Sequence, residues 1–209
     1  MTWEDYIPSE ISELYEIHDY KHAAAILATE FPNEFKELCE ALNKFRFTLD
    51  DVKAAGGNES TIPKKFSKIL KPMGWQEKEL TARLLADNKE VTLDTHKVDY
   101  VKGRVAFDLE WNSKDQTFDR DLFAFRTFFE CDSISIGVLV TRSLELEPFF
   151  DSLGSYIDKN GKERKYKAKY GKSTTHMGKL LPRLKAGRNG GCPILVFGIT
   201  TKSLASENR

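Results

Sequence analysis

Two short runs, Ile134-Ser-Ile-Gly-Val-Leu-Val-Thr141 and Pro193-Ile-Leu-Val-Phe-Gly-Ile-Thr200, constrain this chain most. Each is apolar on nearly every residue, so as a strand each would present hydrocarbon from both faces. Such strands need cover on both sides, which comes from helices packed above and below a parallel or mixed sheet. Helical patterns do alternate with these runs. The expected class is α/β, a mixed central β-sheet flanked by helices, with a helical N-terminal region.

The first half reads mainly as helix, over about residues 1–90. Ser9 is placed to cap a helix over 10–28, with Ile11, Leu14, Ile17 and Tyr20 near helical spacing. Pro32 and Asn33 open a second, with Phe35, Leu38, Leu42 and Phe45 on one face. Ala54-Ala-Gly-Gly-Asn58 reads as a loop. A third helix follows Pro63 and stops near Gly74-Trp75, and a fourth is expected over 76–86. Residues 91–200 then carry the sheet and its flanking helices. Helices are expected over 118–131, 143–153 and 175–186, the last with Pro182 inside it. With 209 residues a single domain 1–209 is expected.

Composition excludes several classes. Nothing approaches the ~20 apolar residues of a membrane span, and the acidic N-terminus lacks an apolar signal core. Cys39, Cys131 and Cys192 are scattered and odd in number, which fits a reducing cytoplasm better than a disulfide framework. The formal net charge is zero, but its distribution is uneven. Residues 1–60 hold thirteen acids against five Lys/Arg, whereas 155–190 hold eleven Lys/Arg against Asp158 and Glu163. A polyanion would feel that local surplus, although a solvated basic loop accounts for charge alone equally well.

The stretch with chemical content is Asp99-Tyr-Val-Lys-Gly-Arg-Val-Ala-Phe-Asp108-Leu-Glu110. On a strand, Val105, Phe107, Leu109 and Trp111 point one way, and Ala106, Asp108 and Glu110 the other. A turn at Lys102-Gly103 would bring Asp99 beside the pair. Converging carboxylates repel, and a divalent cation relieves the repulsion. Taken alone, acid–x–acid on an amphipathic strand equally fits two surface carboxylates, and paired acids also serve glycoside hydrolysis. The nearby excess here is basic rather than sugar-stacking aromatic.

The spacing resembles the PD-(D/E)XK nuclease motif, and residues 98–110 resemble the active-site strand pair of the BglII/BstYI type II restriction endonuclease family. Similarity continues through Trp111-Asn112, Phe118-Asp-Arg-Asp-Leu122 and Ile134-Ser-Ile-Gly-Val138. It resumes in Tyr170-Gly-Lys-Ser-Thr-Thr-His-Met177 and in Gly190–Gly198, so it covers about residues 50–200. The resemblance implies a restriction-endonuclease-like fold and Mg²⁺-dependent hydrolysis of double-stranded DNA, with Mn²⁺ able to substitute. Asp99 stands where the family has its first metal-binding Asp. Asp108 replaces the usual Glu, and Glu110 stands where the superfamily usually has Lys, this family Gln and the related BamHI enzymes Glu. All three are expected to be catalytic and to bind metal. By analogy with an upstream family position after a tryptophan, Glu77 is carried as an additional acid. Lys172, Ser173, Thr174, Thr175, His176, Asn112 and Lys114 are the expected DNA contacts. Thr175 is a candidate cap of the helix that follows, and Lys179, Arg183, Lys185 and Arg188 are candidates to track the phosphates. The resemblance also implies a homodimer, and a companion DNA methyltransferase encoded nearby. A structure- or damage-directed nuclease and a catalytically silent DNA-binding module of the same fold stay open at this point.

Overall fold

The computed structural model describes residues 2–54, 60–94, 96–158 and 160–205. Ten strands occur among them: β1 Tyr15–Tyr20, β2 Gln76–Lys78, β3 Thr81–Ala86, β4 Lys89–Asp94, β5 Val98–Lys102, β6 Val105–Glu110, β7 Ile136–Arg142, β8 Ser155–Ile157, β9 Glu163–Lys165 and β10 Ile194–Ile199. The helices are α1 Ser9–Ser12, α2 Ala23–Glu30, α3 Pro32–Lys44, α4 Leu49–Lys53, α5 Thr61–Leu70, α6 Thr117–Glu130, α7 Leu146–Ser152 and α8 Met177–Lys185. Six strands form the main sheet, in the order β1-β10-β7-β6-β5-β2. The three central strands β10, β7 and β6 run parallel, and β1, β5 and β2 are antiparallel to their neighbours. This is the mixed α/β sheet expected from the two apolar runs, which became β7 and β10. Among the described residues no helix is long and apolar enough to cross a membrane.

The sheet separates two cores. On one face Val105, Phe107, Leu109 and Trp111 pack with Ile136, Val138, Val140, Leu195 and Phe197 under α1, α2, α3, α5 and α7. On the other, Ala106, Leu139, Ile194 and Val196 pack under α6 and α8. The alternation read along β6 is therefore real, and its odd and even residues serve different cores. Gly137 sets how closely α6 sits. A Cβ there would lie 2.5 Å from Phe125 Cδ2 and 2.8 Å from Ile194 Cδ1, so only glycine lets the helix approach. Between β5 and β6 the turn falls at Gly103, whose φ of +54° favours glycine.

Two expected helices are strand in part or throughout. Residues 10–28 hold the single turn α1, then β1, then α2. Tyr15 and Ile17 are buried at alternate positions, and β1 pairs with β10 from Tyr15↔Ile199 to Tyr20↔Ile194. The ladder to a distant strand outweighs a helical spacing that Ile11, Leu14, Ile17 and Tyr20 satisfy only by steps of three. Lys21 and His22, both at positive φ, turn the chain into α2. Likewise 76–86 forms β2, at the sheet edge against β5, and β3, which pairs with β4 in a separate hairpin. The helix after Pro182 is not split, and Ala186 N–H still reaches Pro182 O at 3.0 Å. Most of the expected Ala54–Asn58 loop lies outside the described residues, as does Lys159 of the basic segment.

Candidate active site

The β5–β6 hairpin places Asp99 opposite Asp108, one step beyond the Tyr100↔Phe107 pair. The Asp99 N–H donates to Asp108 Oδ1 at 2.6 Å, and Leu109 N–H approaches Asp99 Oδ2 at 3.5 Å. Glu110 follows Asp108 on the same side of β6, and its carbonyl accepts from Thr141 Oγ1 at 2.7 Å, which fixes the strand end to β7. Asp108 and Glu110 are only 3% and 9% exposed, while Asp99 keeps a solvent-exposed side.

A further acid lies with them. Asp121, on α6, is 2% exposed. It occupies the inner stripe of that helix, among the buried Phe118, Leu122 and Phe125. Asp108 Oδ2, Glu110 Oε2 and Asp121 Oδ2 are all buried without a hydrogen-bond partner. Burial pushes Asp108 well above the usual carboxylate range, and the charges of Asp121 and then Asp99 add to it. Burial raises Glu110 to about 7, against a hydrogen bond from Ser113 that favours the ionised form. Asp121 is also raised well above its ordinary value, first by burial and then by Glu110. Asp99 is raised by burial and, more weakly, by Glu77. Arg120 opposes the rise at Asp99, Glu110 and Asp121, so this half-exposed guanidinium is the cation that these acids share.

Buried carboxylate oxygens without donors are the chemistry of a hard-cation site. In this respect the residues fit a divalent metal. Among the described residues, no three His, Cys, Asp or Glu side chains converge closely enough to hold an ion as they stand. Mutual repulsion of unneutralised carboxylates favours that spread.

The segment beyond β6 meets the expected DNA-contact loop. Lys114 and Thr174 form an antiparallel bridge, Asp115 N–H donates to Ser173 O at 2.9 Å, and Thr175 N–H donates to Ser113 O at 2.9 Å. Arg142, at the end of β7, ties the two together. It is fully buried and donates to Trp111 O (2.7 Å), Thr175 O (3.1 Å) and Thr174 Oγ1 (2.6 Å). Its guanidinium also lies 5.1–6.0 Å from the ring centres of Trp111, Phe150 and Tyr170. Burial lowers its pKa to about 10, which still leaves it charged at neutral pH. Nothing in the sequence singled out Arg142, because its partners come from three separate segments.

The remaining expected residues fall into distinct places. Lys172, Ser173 and Lys114 are exposed beside the acids' strand end. Thr174 is engaged by Arg142 and by the Gly171 carbonyl. Thr175 is fully buried with an unpartnered hydroxyl, and it does not cap α8; His176 holds the cap position without a side-chain bond. His176 itself is half-buried, which lowers its pKa. Asn112 Nδ2 donates to Lys169 O at 3.0 Å and so braces the loop from inside. Glu77 lies on strand β2 rather than a helix, exposed, with Lys97 at 3.5 Å. Lys179 pairs with Asp115 at 3.4 Å, and Arg183 and Arg188 both pair with Asp119, so these cations are already partly neutralised.

The model of the restriction endonuclease BglII/BglIII family matches residues 15–199. The chain belongs to that family. It is accordingly a DNA endonuclease that hydrolyses phosphodiester bonds, of the type II-like kind. Enzymes of this family generally use a divalent metal, usually Mg²⁺. A comparison with curated proteins finds no match.

Proposed function

We propose that the chain is a Mg²⁺-dependent type II-like restriction endonuclease that cuts both strands of a specific double-stranded DNA site as a homodimer, each subunit cutting one strand. The observation that carries this reading is the pair of buried, partnerless carboxylate oxygens on Asp108 and Glu110, set on a strand whose hairpin partner supplies Asp99. Asp99, Asp108 and Glu110 would hold Mg²⁺, with Mn²⁺ able to substitute. The bound cation would supply Lewis acidity toward the scissile phosphate and lower the pKa of a bound water.

The chain's own residues do the rest. The Asp99 N–H orients Asp108 through Oδ1, and its second oxygen is left buried without a protein donor. Glu110 follows Asp108 on the same side of the strand and is placed to orient an attacking water or to take its proton. Where the superfamily has a lysine on this strand, the chain has only the acid. Arg120 is the nearby cation placed to face a phosphate. Lys172, Ser173 and Lys114 are the exposed groups at the strand end, and we assign them to backbone or base contacts. Asn112, Thr174, Thr175 and His176 hold that loop in place. A companion methyltransferase and a cytoplasmic location complete the proposal.

The test is digestion of unmodified phage DNA with Mg²⁺, followed by sequencing of the fragment ends. Discrete bands with one shared end sequence are expected, abolished by a chelator and by Asp108→Ala. A smear with unrelated ends would replace sequence-specific cutting with a structure- or damage-directed activity.

A further inference from the structure

The buried acid on α6 is not used by the reading above. Phe118, Asp121, Leu122 and Phe125 follow the spacing of one helical stripe, and all four are buried against the sheet face that carries Ala106, Asp108 and Glu110. The three apolar members of that stripe fill the core. Asp121 takes a position where Leu would pack as well, yet its Oδ2 has no hydrogen-bond partner. The nearest cation, Arg120 Nε, lies 4.0 Å from its other oxygen and is half-exposed. A charged group buried this way is costly unless something neutralises it. The other acids make the cost greater, since Asp121 is the charge that presses hardest on Asp108 and is itself pressed by Glu110 and Asp99. A buried, unpaired carboxylate on the helix that covers the Asp108 and Glu110 strand would shed this penalty by sharing their cation.

We propose that Asp121 is a further carboxylate ligand of the divalent-cation centre, reaching it from α6 opposite the Asp108 and Glu110 strand. This inference rests on the metal-dependent nuclease reading. It gives the centre acids from two layers of the fold, the sheet and the helix that covers it.

The test is titration of the full-length chain with Mn²⁺ in the absence of DNA, with the free ion followed by electron paramagnetic resonance. Wild type, Asp108→Asn, Asp121→Asn and Asp121→Ser are compared, each checked for a cooperative melt. Asp121→Asn is expected to weaken Mn²⁺ binding at least about tenfold or to remove one bound ion per chain, since even residues that only support a metal's ligands cost this much. If Asp121→Asn does not fold, the smaller Asp121→Ser is read in the same way. Wild-type affinity and stoichiometry in a folded Asp121 variant, together with a loss in Asp108→Asn, would overturn the role of Asp121 and leave the nuclease reading intact. Absence of Mn²⁺ binding by the wild type would overturn both.

Discussion

Glu110→Gln is expected to make the metal-free chain more stable. The carboxyl of Glu110 rises from its ordinary 4.5 to about 7 on folding, chiefly through burial. In the range between those values the folded chain holds a proton there that the unfolded chain has released. The contribution to stability is therefore present in full below pH 4.5 and is lost as pH rises through about 7. Above about pH 8 the ionised side chain costs the folded state ~3 kcal/mol relative to acid conditions. Glutamine removes the ionisation but leaves a buried amide short of a partner, which offsets ~1 kcal/mol. The net gain of ~2 kcal/mol corresponds to a rise in Tm of roughly 4–8 °C for a chain of this size. Thermal melts with EDTA at about pH 5 and about pH 8 measure it, with the gain expected only at the higher pH. Added Mg²⁺ should raise the Tm of the wild type more than that of the variant, because cation binding relieves the same repulsion. Equal Tm shifts at both pH values, or a loss of stability at the higher one, would show that the Glu110 carboxylate has a partner that stabilises its charge, and the argument from burial would fail.

Asp99→Ala and Asp108→Ala should each bring cleavage below detection in a plasmid assay while gel-shift binding to DNA stays largely intact. Arg142→Ala should cost about 3 kcal/mol or more in chemical denaturation, because two buried carbonyls and the half-buried Thr174 hydroxyl lose a charged donor. The same change should weaken DNA binding by loosening the 171–175 segment, a loss that Arg142→Lys would not fully restore since one ammonium cannot reproduce the guanidinium fork. Gly137→Ala should cost ~1–3 kcal/mol through overpacking against Phe125, read from the urea midpoint.

The strand of the paired acids was legible because its pattern is local. Val105 through Trp111 alternate strictly, and the acids fall on one phase of that alternation, so both the strand and its shared face could be read residue by residue. The buried strands β7 and β10 announced themselves by lacking alternation. β1 was misread because Ile11, Leu14, Ile17 and Tyr20 satisfy a helical template, whereas its true partner, β10, lies at the other end of the chain. β2 and β3 carry too little apolar pattern to declare a strand, and pairing alone sets them. Asp121 stood inside a segment already noted for its resemblance, yet an acid on a helix is ordinarily a surface residue. Its inward position depends on how α6 lies on Gly137. The pairing of Arg183 and Arg188 with Asp119 was equally invisible, since it joins α6 to α8 and the turn that follows it, far apart in sequence.

The strand that bears Asp108 and Glu110 lies between two separately built layers, and its closing partners are made late. β7, the Arg142 knot and β10 all follow it in synthesis. A growing chain on the ribosome therefore carries its acids without their sheet partners until β10 has emerged. For a DNA-cutting enzyme, that ordering delays the hazard to the cell's own DNA until the sheet can close.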